Sequence, residues 1–383
     1  MAADEVTGLL ADLVGIESLS GDEGAVQRFI AEWFAAQDIP AAVRPAEGGL
    51  GNLIVEVDSG APGRALFLGG HCDTVGIGAG WTRPPLRATI EEGRLYGRGA
   101  MDMKGGLAAA MIATRDLARD TSNWTGRLIF AALADEEAFS RGARGFLKDA
   151  PQIDAALMCE PHFDAIGTGA MGKINIDVEV RGRSAHASRP DEGINAVCEA
   201  ARLAVVIGDL ERPVHPEHGA ASHCILNISS GDGAYEIRVP DRCAFRINWH
   251  LMPGETIEGA LAIVEGLARR ACRKAEVAVT LAEPAYGCFE LAPDHALPEL
   301  LAACAERATG RRPGFEFCHG VSDANLFMGG AGIPTVLFGP SGGGMHGADE
   351  WVCLDQLRQA VEIYRDCAQR FLAGRTEGDT DAG

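Results

Sequence analysis

The strongest constraint on the fold is an alternation of short apolar segments with helix-like segments in the first half of the chain. Strand-like segments at 64–70, 126–133 and 154–160 are separated by helix-like segments at 104–118 and 139–150. Short apolar runs with helices between them are typical of parallel strands that are buried on both faces. The pattern therefore predicts an α/β fold built on a mainly parallel sheet.

The pattern changes beyond residue 173. Segments 174–182 and 242–251 alternate apolar and polar residues, which is typical of antiparallel strands with one solvated face. Helices are predicted near 193–209 and 256–272. These elements together indicate a second, smaller α+β domain.

The end of the chain returns to the first pattern, with a helix-like segment at 296–310 and a buried strand at 333–340. The second domain is therefore expected to be an insertion whose two flanks complete one core. The predicted boundaries are residues 1–174 and 287–383 for the first domain and residues 175–286 for the insertion. The last nine residues, RTEGDTDAG, have the composition of a frayed tail.

The charge balance argues against nucleic acid and membrane partners. The chain of 383 residues has 54 acidic and 34 basic side chains, a formal charge of −20. Such a surface repels phosphate backbones and anionic lipids, and no run approaches the roughly 18 apolar residues of a membrane helix. An acidic N-terminus unlike a signal peptide, and eleven cysteines without a CxxC pair, predict a cytoplasmic protein with reduced thiols.

Polar side chains follow the predicted strands at the point where each strand ends. In open α/β sheets the carboxyl ends of the strands meet at one edge, and functional groups gather there. Asp102 lies in a glycine-rich loop just before a helix, where the helix dipole favours a carboxylate. The residues at the strand ends are His71, Asp73, Asp135, Glu136, Glu137, Glu160 and His346.

Taken singly, these residues have ordinary explanations. Glu136 and Glu137 could begin a solvated helix, and Asp102 could cap its helix. Together, however, so many carboxylates at one edge would repel one another unless cations lay between them. Imidazole and carboxylate ligands without a thiolate favour zinc, cobalt or manganese, and Asp73 could accept the second ring N–H of His71.

Seven segments carry a resemblance to a known family: GGHCDTV, GRGAMDMKGG, ADEEAFSRGA, MCEP, GRSAHASRPDEGINA, SDAN and HGADE. In this order they resemble the motifs of the M20 metallopeptidases, which include deacylases, desuccinylases and carboxypeptidases. The similarity extends from about Ile16 to about Trp351. It implies a catalytic domain that holds two divalent ions, and an inserted lid domain that forms a homodimer.

The resemblance also implies roles for individual residues. His71 and Glu160 would hold one ion, Glu137 and His346 the other, and Asp102 would bridge both. Glu136 would be the general base. The role of Asp73 in orienting His71 is instead inferred from its spacing in the HCD segment. The peptide bond between Asp102 and Met103 would be cis.

In the lid, the resemblance implies that His186 reaches the active site of the partner subunit and stabilises the oxyanion. Asp323 of the SDAN segment is a candidate substrate-binding residue. The lid departs from the family pattern at His250, which stands where many members have an arginine that binds the substrate carboxylate. Arg246 or Arg238 could supply the missing charge, so Arg246 and His250 are further candidates for substrate binding.

These observations predict a metal-dependent hydrolase that cleaves the amide bond of a small N-acyl amino acid. A dipeptidase or carboxypeptidase would share every proposed ligand and remains open as an alternative. A catalytically silent binding protein of the same fold is disfavoured, because it would be free to lose ligands that are all present here. The absence of a phosphate-loop pattern disfavours a nucleotide-binding enzyme.

Overall fold

The computed structural model describes residues 2–231, 237–292 and 294–374, which excludes the tail at 375–383. None of the helices in these ranges is both long and apolar enough to cross a bilayer. All eleven cysteines are free, and Cys198 and Cys224 are exposed. The chain forms two compact units: unit 1 comprises Met1–Gly169, Glu290–Cys318 and Ser322–Gly383, and unit 2 comprises Ala170–Phe289 and His319–Val321.

The helices expected at 104–118, 139–150, 193–209, 256–272 and 296–310 are all present, whereas the helix at Leu354–Leu372 was not predicted. Helix α6 begins where the Thr256 hydroxyl accepts a hydrogen bond from the Gly259 N–H at 3.0 Å. The helices are α1 (Ala2–Val14), α2 (Gly24–Ala35), α3 (Gly105–Arg119), α4 (Arg141–Asp149), α5 (Ala196–Gly208), α6 (Ile257–Ala271), α7 (Ala296–Thr309) and α8 (Leu354–Leu372).

The strands are more numerous than the sequence pattern indicates, because many of them are short. They are β1 (Ala42–Pro45), β2 (Gly51–Asp58), β3 (Ala65–His71), β4 (Thr89–Glu91), β5 (Arg94–Tyr96), β6 (Arg127–Leu133), β7 (Ala155–Met158), β8 (Ala165–Ala170), β9 (Gly172–Arg181), β10 (Val214–His215), β11 (Gly219–Ala220), β12 (His223–Ser229), β13 (Arg242–Leu251), β14 (Glu276–Tyr286), β15 (Phe289–Glu290), β16 (Gly314–Cys318), β17 (Thr335–Leu337), β18 (Gly342–Gly343) and β19 (Trp351–Cys353).

The main sheet of unit 1 is parallel at its centre. Strands β6, β3, β7 and β17 lie side by side and run parallel, while β2 and β8 flank them antiparallel. Every residue of β3 is buried, as expected for a strand covered by helices on both faces. The sequence prediction of a mainly parallel α/β sheet is therefore confirmed.

Close packing brings the loop before α3 to the end of β7. A Cβ atom at Gly106, in the first turn of α3, would overlap the carbonyl oxygen of Cys159. A Cβ atom at Gly70 would likewise overlap the side chain of Met103. Because only glycine permits these approaches, the residues before α3 lie beside the carboxyl ends of β3 and β7.

Unit 2 contains a four-stranded antiparallel sheet in the order β12-β13-β9-β14. Residues of β9 and β13 alternate between buried and half-exposed. The buried side chains, Trp249 and Val178 among them, form a core with α5 and α6. The other face is polar, as the alternation in the sequence predicts.

Candidate metal centre

The first cluster at the sheet edge combines His71, Asp102 and Glu160. His71 is the last residue of β3, and its Nε2 lies 3.2 Å from Asp102 Oδ1 and 4.0 Å from Glu160 Oε1. All three residues are buried, and one ligand atom from each lies within 4.8 Å of the others. This spacing allows the three side chains to surround one cation.

A second cluster shares Asp102. His346, in the loop between β18 and β19, has its Nε2 3.1 Å from Asp102 Oδ2 and 3.0 Å from Glu137 Oε1. These three residues also offer ligand atoms within 4.8 Å of one another. The two oxygens of Asp102 therefore face different histidines, which is the arrangement that a carboxylate bridging two ions requires.

Glu136 lies beside the first cluster and is next in the chain to Glu137 of the second. Its Oε2 is 3.9 Å from His71 Nε2, and the side chain is largely buried. Among the described residues, hydrogen bonds to the Glu136 carboxylate are absent, so its oxygens are available to a water molecule or substrate in the site.

The turn that carries Glu136 and Glu137 is held by Asp73. The Asp73 carboxylate accepts hydrogen bonds from the backbone N–H groups of both glutamates at 3.1 Å, and from the Ser20 hydroxyl at 2.7 Å. The preceding residue, Asp135, has a positive φ of 67° and pairs with Arg141. These contacts set the direction of the two glutamate side chains after β6.

His71 is oriented by the backbone as well as by a side chain. Its Nδ1 lies 3.0 Å from the Asp73 carbonyl oxygen and 3.5 Å from Asp73 Oδ1. The nearer acceptor is therefore the carbonyl, whereas the sequence led us to expect the carboxylate. Either acceptor places the proton on Nδ1 and leaves Nε2 free to bind a cation.

The protonation equilibria reflect the crowding of negative charge. Burial raises the pKa of Glu160 to about 8 and that of Asp323 to about 7. Burial also raises the pKa of Glu136 well above its usual range, although His71 opposes this shift. The hydrogen bond with Asp102 raises the pKa of His346 to about 9. Without cations, these groups compete for protons.

The donor set fits divalent cations. Within the described residues, the ion-pair partners of Asp102, Glu136, Glu137 and Glu160 are the two histidines. Carboxylate oxygens and imidazole nitrogens are suitable ligands for zinc, cobalt and manganese. The buried negative charge would be compensated by such ions.

The loop that carries Asp102 is fixed by Glu350, a residue that the sequence reasoning did not assign. The Glu350 carboxylate accepts hydrogen bonds from the backbone N–H groups of Gly99, Met101 and Asp102 at 3.0, 3.0 and 3.1 Å. It also pairs with Arg98 at 2.6 Å, and both side chains are buried. The peptide bond between Asp102 and Met103 is cis, as the family resemblance implied.

Asp323 belongs to unit 1 and is buried at the start of a helical turn. The carboxylate of Asp323 is close enough to His71 and Asp73 for the charges of these two residues to shift its pKa. The structure therefore places Asp323 near the metal-ligand candidates. Substrate binding by Asp323 stays a prediction.

The remaining candidates, His186, Arg246 and His250, lie in unit 2. His186 is exposed, and its Nδ1 accepts a hydrogen bond from the Ser188 backbone N–H at 3.2 Å. Arg246 forms two hydrogen bonds with Asp177, at 2.6 and 2.8 Å. Burial, together with Lys173 and Arg212, lowers the pKa of His250.

Comparison with known proteins identifies the family. Residues 67–370 match the model of Peptidase family M20/M25/M40. A succinyl-diaminopimelate desuccinylase from Dinoroseobacter shibae is 28% identical over 378 residues, covering 95% of this chain and 98% of the relative. Another from Beijerinckia indica is 31% identical over 337 residues, covering 84% of this chain and 85% of the relative.

Solved structures agree on the fold. Aminopeptidase PepT from Bacillus cereus superposes with a TM-score of 0.77 at 20% identity, over 96% of this chain and 98% of that one. The YXEP protein of Bacillus subtilis, described as a dinuclear metal binding peptidase, gives 0.73 at 15% identity over 97% and 98% of the chains. The chain belongs to peptidase family M20/M25/M40 and is a metal-dependent hydrolase that acts on amide bonds.

Proposed function

We propose that the protein removes the acyl group from a small N-acyl amino acid, with N-succinylated diaminopimelate as the first substrate to test. The observation that carries the proposal is the position of Glu136, whose carboxylate lies beside the first of two clusters that share Asp102. The named desuccinylases among its relatives support the choice of acyl group.

In this proposal two divalent ions, zinc in the first place and cobalt or manganese as alternatives, are held at the sheet edge. His71 and Glu160 would hold one ion, and His346 and Glu137 the other, with Asp102 between them. Two such ions, when bound, polarise the amide carbonyl and lower the pKa of a water molecule.

Glu136 is assigned the proton transfer. Its Oε2 would take a proton from the attacking water and deliver it to the nitrogen of the leaving amine, as general base and then general acid. Asp73 acts through Glu136 and His71 as a positioning residue.

We further propose that a second copy of the chain completes the site through unit 2. Strand β12 is at the end of its sheet in the described part of the chain, and its Leu226 and Ile228 are more than half exposed. Val205, on α5, is also exposed at 62%. An apolar edge of this kind favours pairing with an identical edge.

His186 is assigned to the partner's active site. Nδ1 lies 2.8 Å from the Ser188 hydroxyl oxygen and 3.2 Å from the Ser188 backbone nitrogen, and we assign it as the acceptor because that N–H can only donate. The neutral ring therefore carries its proton on Nε2. That N–H is the donor that an oxyanion needs.

We also propose that the protein is cytoplasmic. Free cysteines, two of them exposed, are typical of a reducing compartment such as the cytoplasm.

The substrate is tested by a hydrolysis screen with N-succinyl, N-acetyl and N-formyl amino acids and with dipeptides, each in the presence of zinc, cobalt or manganese. N-acyl amino acids should be hydrolysed faster than dipeptides. The alternative is a dipeptidase, whose substrates carry a carboxylate at the same place as N-acyl amino acids. Arg246 is already paired with Asp177, and burial lowers the pKa of His250. Both features weaken the binding of a substrate carboxylate by these two residues. Hydrolysis of dipeptides alone would decide for that alternative.

A further inference from the structure

A further group of side chains that could bind a cation lies in unit 1 and shares no residue with the two clusters around Asp102. His162, Glu316 and Cys318 each offer a ligand atom within 4.8 Å of the others. His162 follows β7 in the chain, whereas Glu316 and Cys318 lie on β16, which pairs with β8. Because side chains alternate along a strand, Glu316 and Cys318 are on the same face of β16.

The contacts within this group define its geometry. His162 Nδ1 lies 2.6 Å from Glu316 Oε1, and His162 Nε2 lies 3.8 Å from Cys318 Sγ. Two ligands on one tetrahedral zinc ion are about 3.6 Å apart when the zinc–sulfur bond is about 2.3 Å and the zinc–nitrogen bond about 2.1 Å. The separation of sulfur and nitrogen therefore suits a cation between them.

The Glu316 carboxylate is placed to orient the imidazole ring of His162. By accepting a hydrogen bond from Nδ1 it fixes the proton there and directs the lone pair of Nε2 towards the thiol. Carboxylates that contact a metal-binding histidine in this way hold the ring and increase its basicity. The pair of His162 and Glu316 is thus ready to bind a cation without a change of tautomer.

The loop with His162 is fixed on both sides by Ser341. The Ser341 hydroxyl donates a hydrogen bond to the Pro161 carbonyl at 2.8 Å and accepts one from the Phe163 N–H at 3.1 Å. The absent side chain at Gly167 leaves room for the thiol, since a Cβ atom there would lie 3.1 Å from Cys318 Sγ. The group is open to ions from solvent, because the side chains of His162 and Glu316 are 25% and 44% exposed.

An alternative role for the adjacent side chains of Cys318, His162 and Glu316 is catalysis by a nucleophilic thiol. Burial, with the charges of Glu316 and Glu160, raises the pKa of Cys318 to about 12. The free thiol is therefore protonated at neutral pH and is a poor nucleophile. A cation that binds the sulfur would displace this proton to solvent.

We propose that Cys318 Sγ and His162 Nε2 bind a borderline-soft divalent cation such as zinc, cobalt or cadmium, with Glu316 orienting the imidazole. Thiolate and imidazole together select such ions over magnesium or calcium. This accessory site, formed by His162, Glu316 and Cys318, has two protein ligands, and water molecules complete its coordination. It therefore binds a cation more weakly than the paired centre, which is formed by the two clusters around Asp102. The ligands of the paired centre are nitrogen and oxygen atoms only, so a sulfur ligand distinguishes the accessory site.

The test is a cobalt titration of the metal-free full-length protein, followed by absorption spectroscopy. A thiolate-to-cobalt charge-transfer band in the near ultraviolet is expected after the paired centre has filled. Cys318→Ser should abolish the band, and Cys353→Ser, a half-buried thiol in the same unit, should leave it unchanged. Glu316→Gln should weaken cobalt binding at this site by about 10- to 100-fold.

The absence of the band at saturating cobalt, or its persistence in Cys318→Ser, would overturn the proposal. His162→Ala provides a second variant, which should lose the band while the thiol remains. The readout is independent of hydrolysis. If hydrolysis is normal and the band is absent, the accessory site alone is wrong; if the band is present and no amide is cleaved, the proposed function is wrong.

Discussion

The Asp73 carboxylate accepts a hydrogen bond from the backbone N–H of Glu136 at 3.1 Å. A second such bond, from the Glu137 N–H, has the same length. One buried side chain thereby fixes the proposed general base and a proposed metal ligand together. The position of the base relative to the metals is a consequence of this contact.

The first prediction concerns this contact. Asp73→Asn replaces one acceptor oxygen by an NH2 group that faces a backbone N–H, so the glutamate turn should shift. We expect kcat to fall by about 10- to 100-fold with a smaller loss of bound metal, as for other residues that support metal ligands. Ser20→Ala, which removes a donor to the same carboxylate but leaves both backbone contacts, is the control. Equal effects of the two variants on kcat would contradict the assignment of Asp73 as the residue that positions the glutamate turn.

The second prediction separates the two adjacent glutamates. Glu136→Gln should retain both metals and lose about 10² to 10⁴ in kcat, the usual contribution of a general acid–base group. Glu137→Gln should instead lower the metal content, because its Oε1 faces His346. Steady-state kinetics with metal analysis of each purified variant decides the point. Near-normal turnover of Glu136→Gln would remove this residue from the mechanism.

The third prediction concerns Glu350, which is buried with Arg98. Glu350→Ala leaves a buried guanidinium without its partner and three backbone donors without an acceptor. Breaking a buried pair in this way costs about 3 to 5 kcal/mol in the free energy of unfolding, measured by urea denaturation of the metal-free protein.

The control for this variant is Glu56→Ala, which breaks the exposed ion pair with Arg44. Exposed pairs contribute little, so its unfolding midpoint should remain close to that of the wild type. A Glu350→Ala protein as stable as this control would show that the loop before α3 does not depend on Glu350.

The sequence predicted those site residues that lie where long strands end. His71 is the last residue of β3 and Glu160 follows β7, and a parallel sheet gathers such ends at one edge. Glu350 was missed, although its segment HGADE was noted, because it acts on backbone N–H groups that no side-chain pattern reveals. Its one sequence signal is an acidic residue next to the apolar strand β19.

The cluster of His162, Glu316 and Cys318 was missed for a different reason. It depends on the pairing of β16 with β8, two short strands that are separated in the chain by residues 171–313. The exposed residues of β16 lack the apolar run that marked the buried strands. Long-range pairing of short exposed strands is set by tertiary contacts rather than by local pattern.

The fourth prediction tests whether the site is shared between subunits. His186→Ala should lower kcat with little change in KM, by about 2.7 to 4 kcal/mol in activation free energy if the residue acts as an oxyanion donor. His186→Ala and Glu136→Gln proteins, co-refolded in equal amounts, should recover about a quarter of wild-type activity, because half of the dimers are mixed and each has one intact site. No recovery in demonstrated mixed dimers would contradict a shared site.

The central claim is that catalysis requires two ions held around Asp102. Its most direct test is a titration of metal-free Cys318→Ser protein with zinc, in which bound metal and amide hydrolysis are measured on the same samples. This variant removes the accessory site and leaves the two clusters of the paired centre intact. The account predicts that activity rises until two ions per chain are bound and is abolished by a chelator. Full activity at one ion per chain, or activity in the chelated protein, would contradict it.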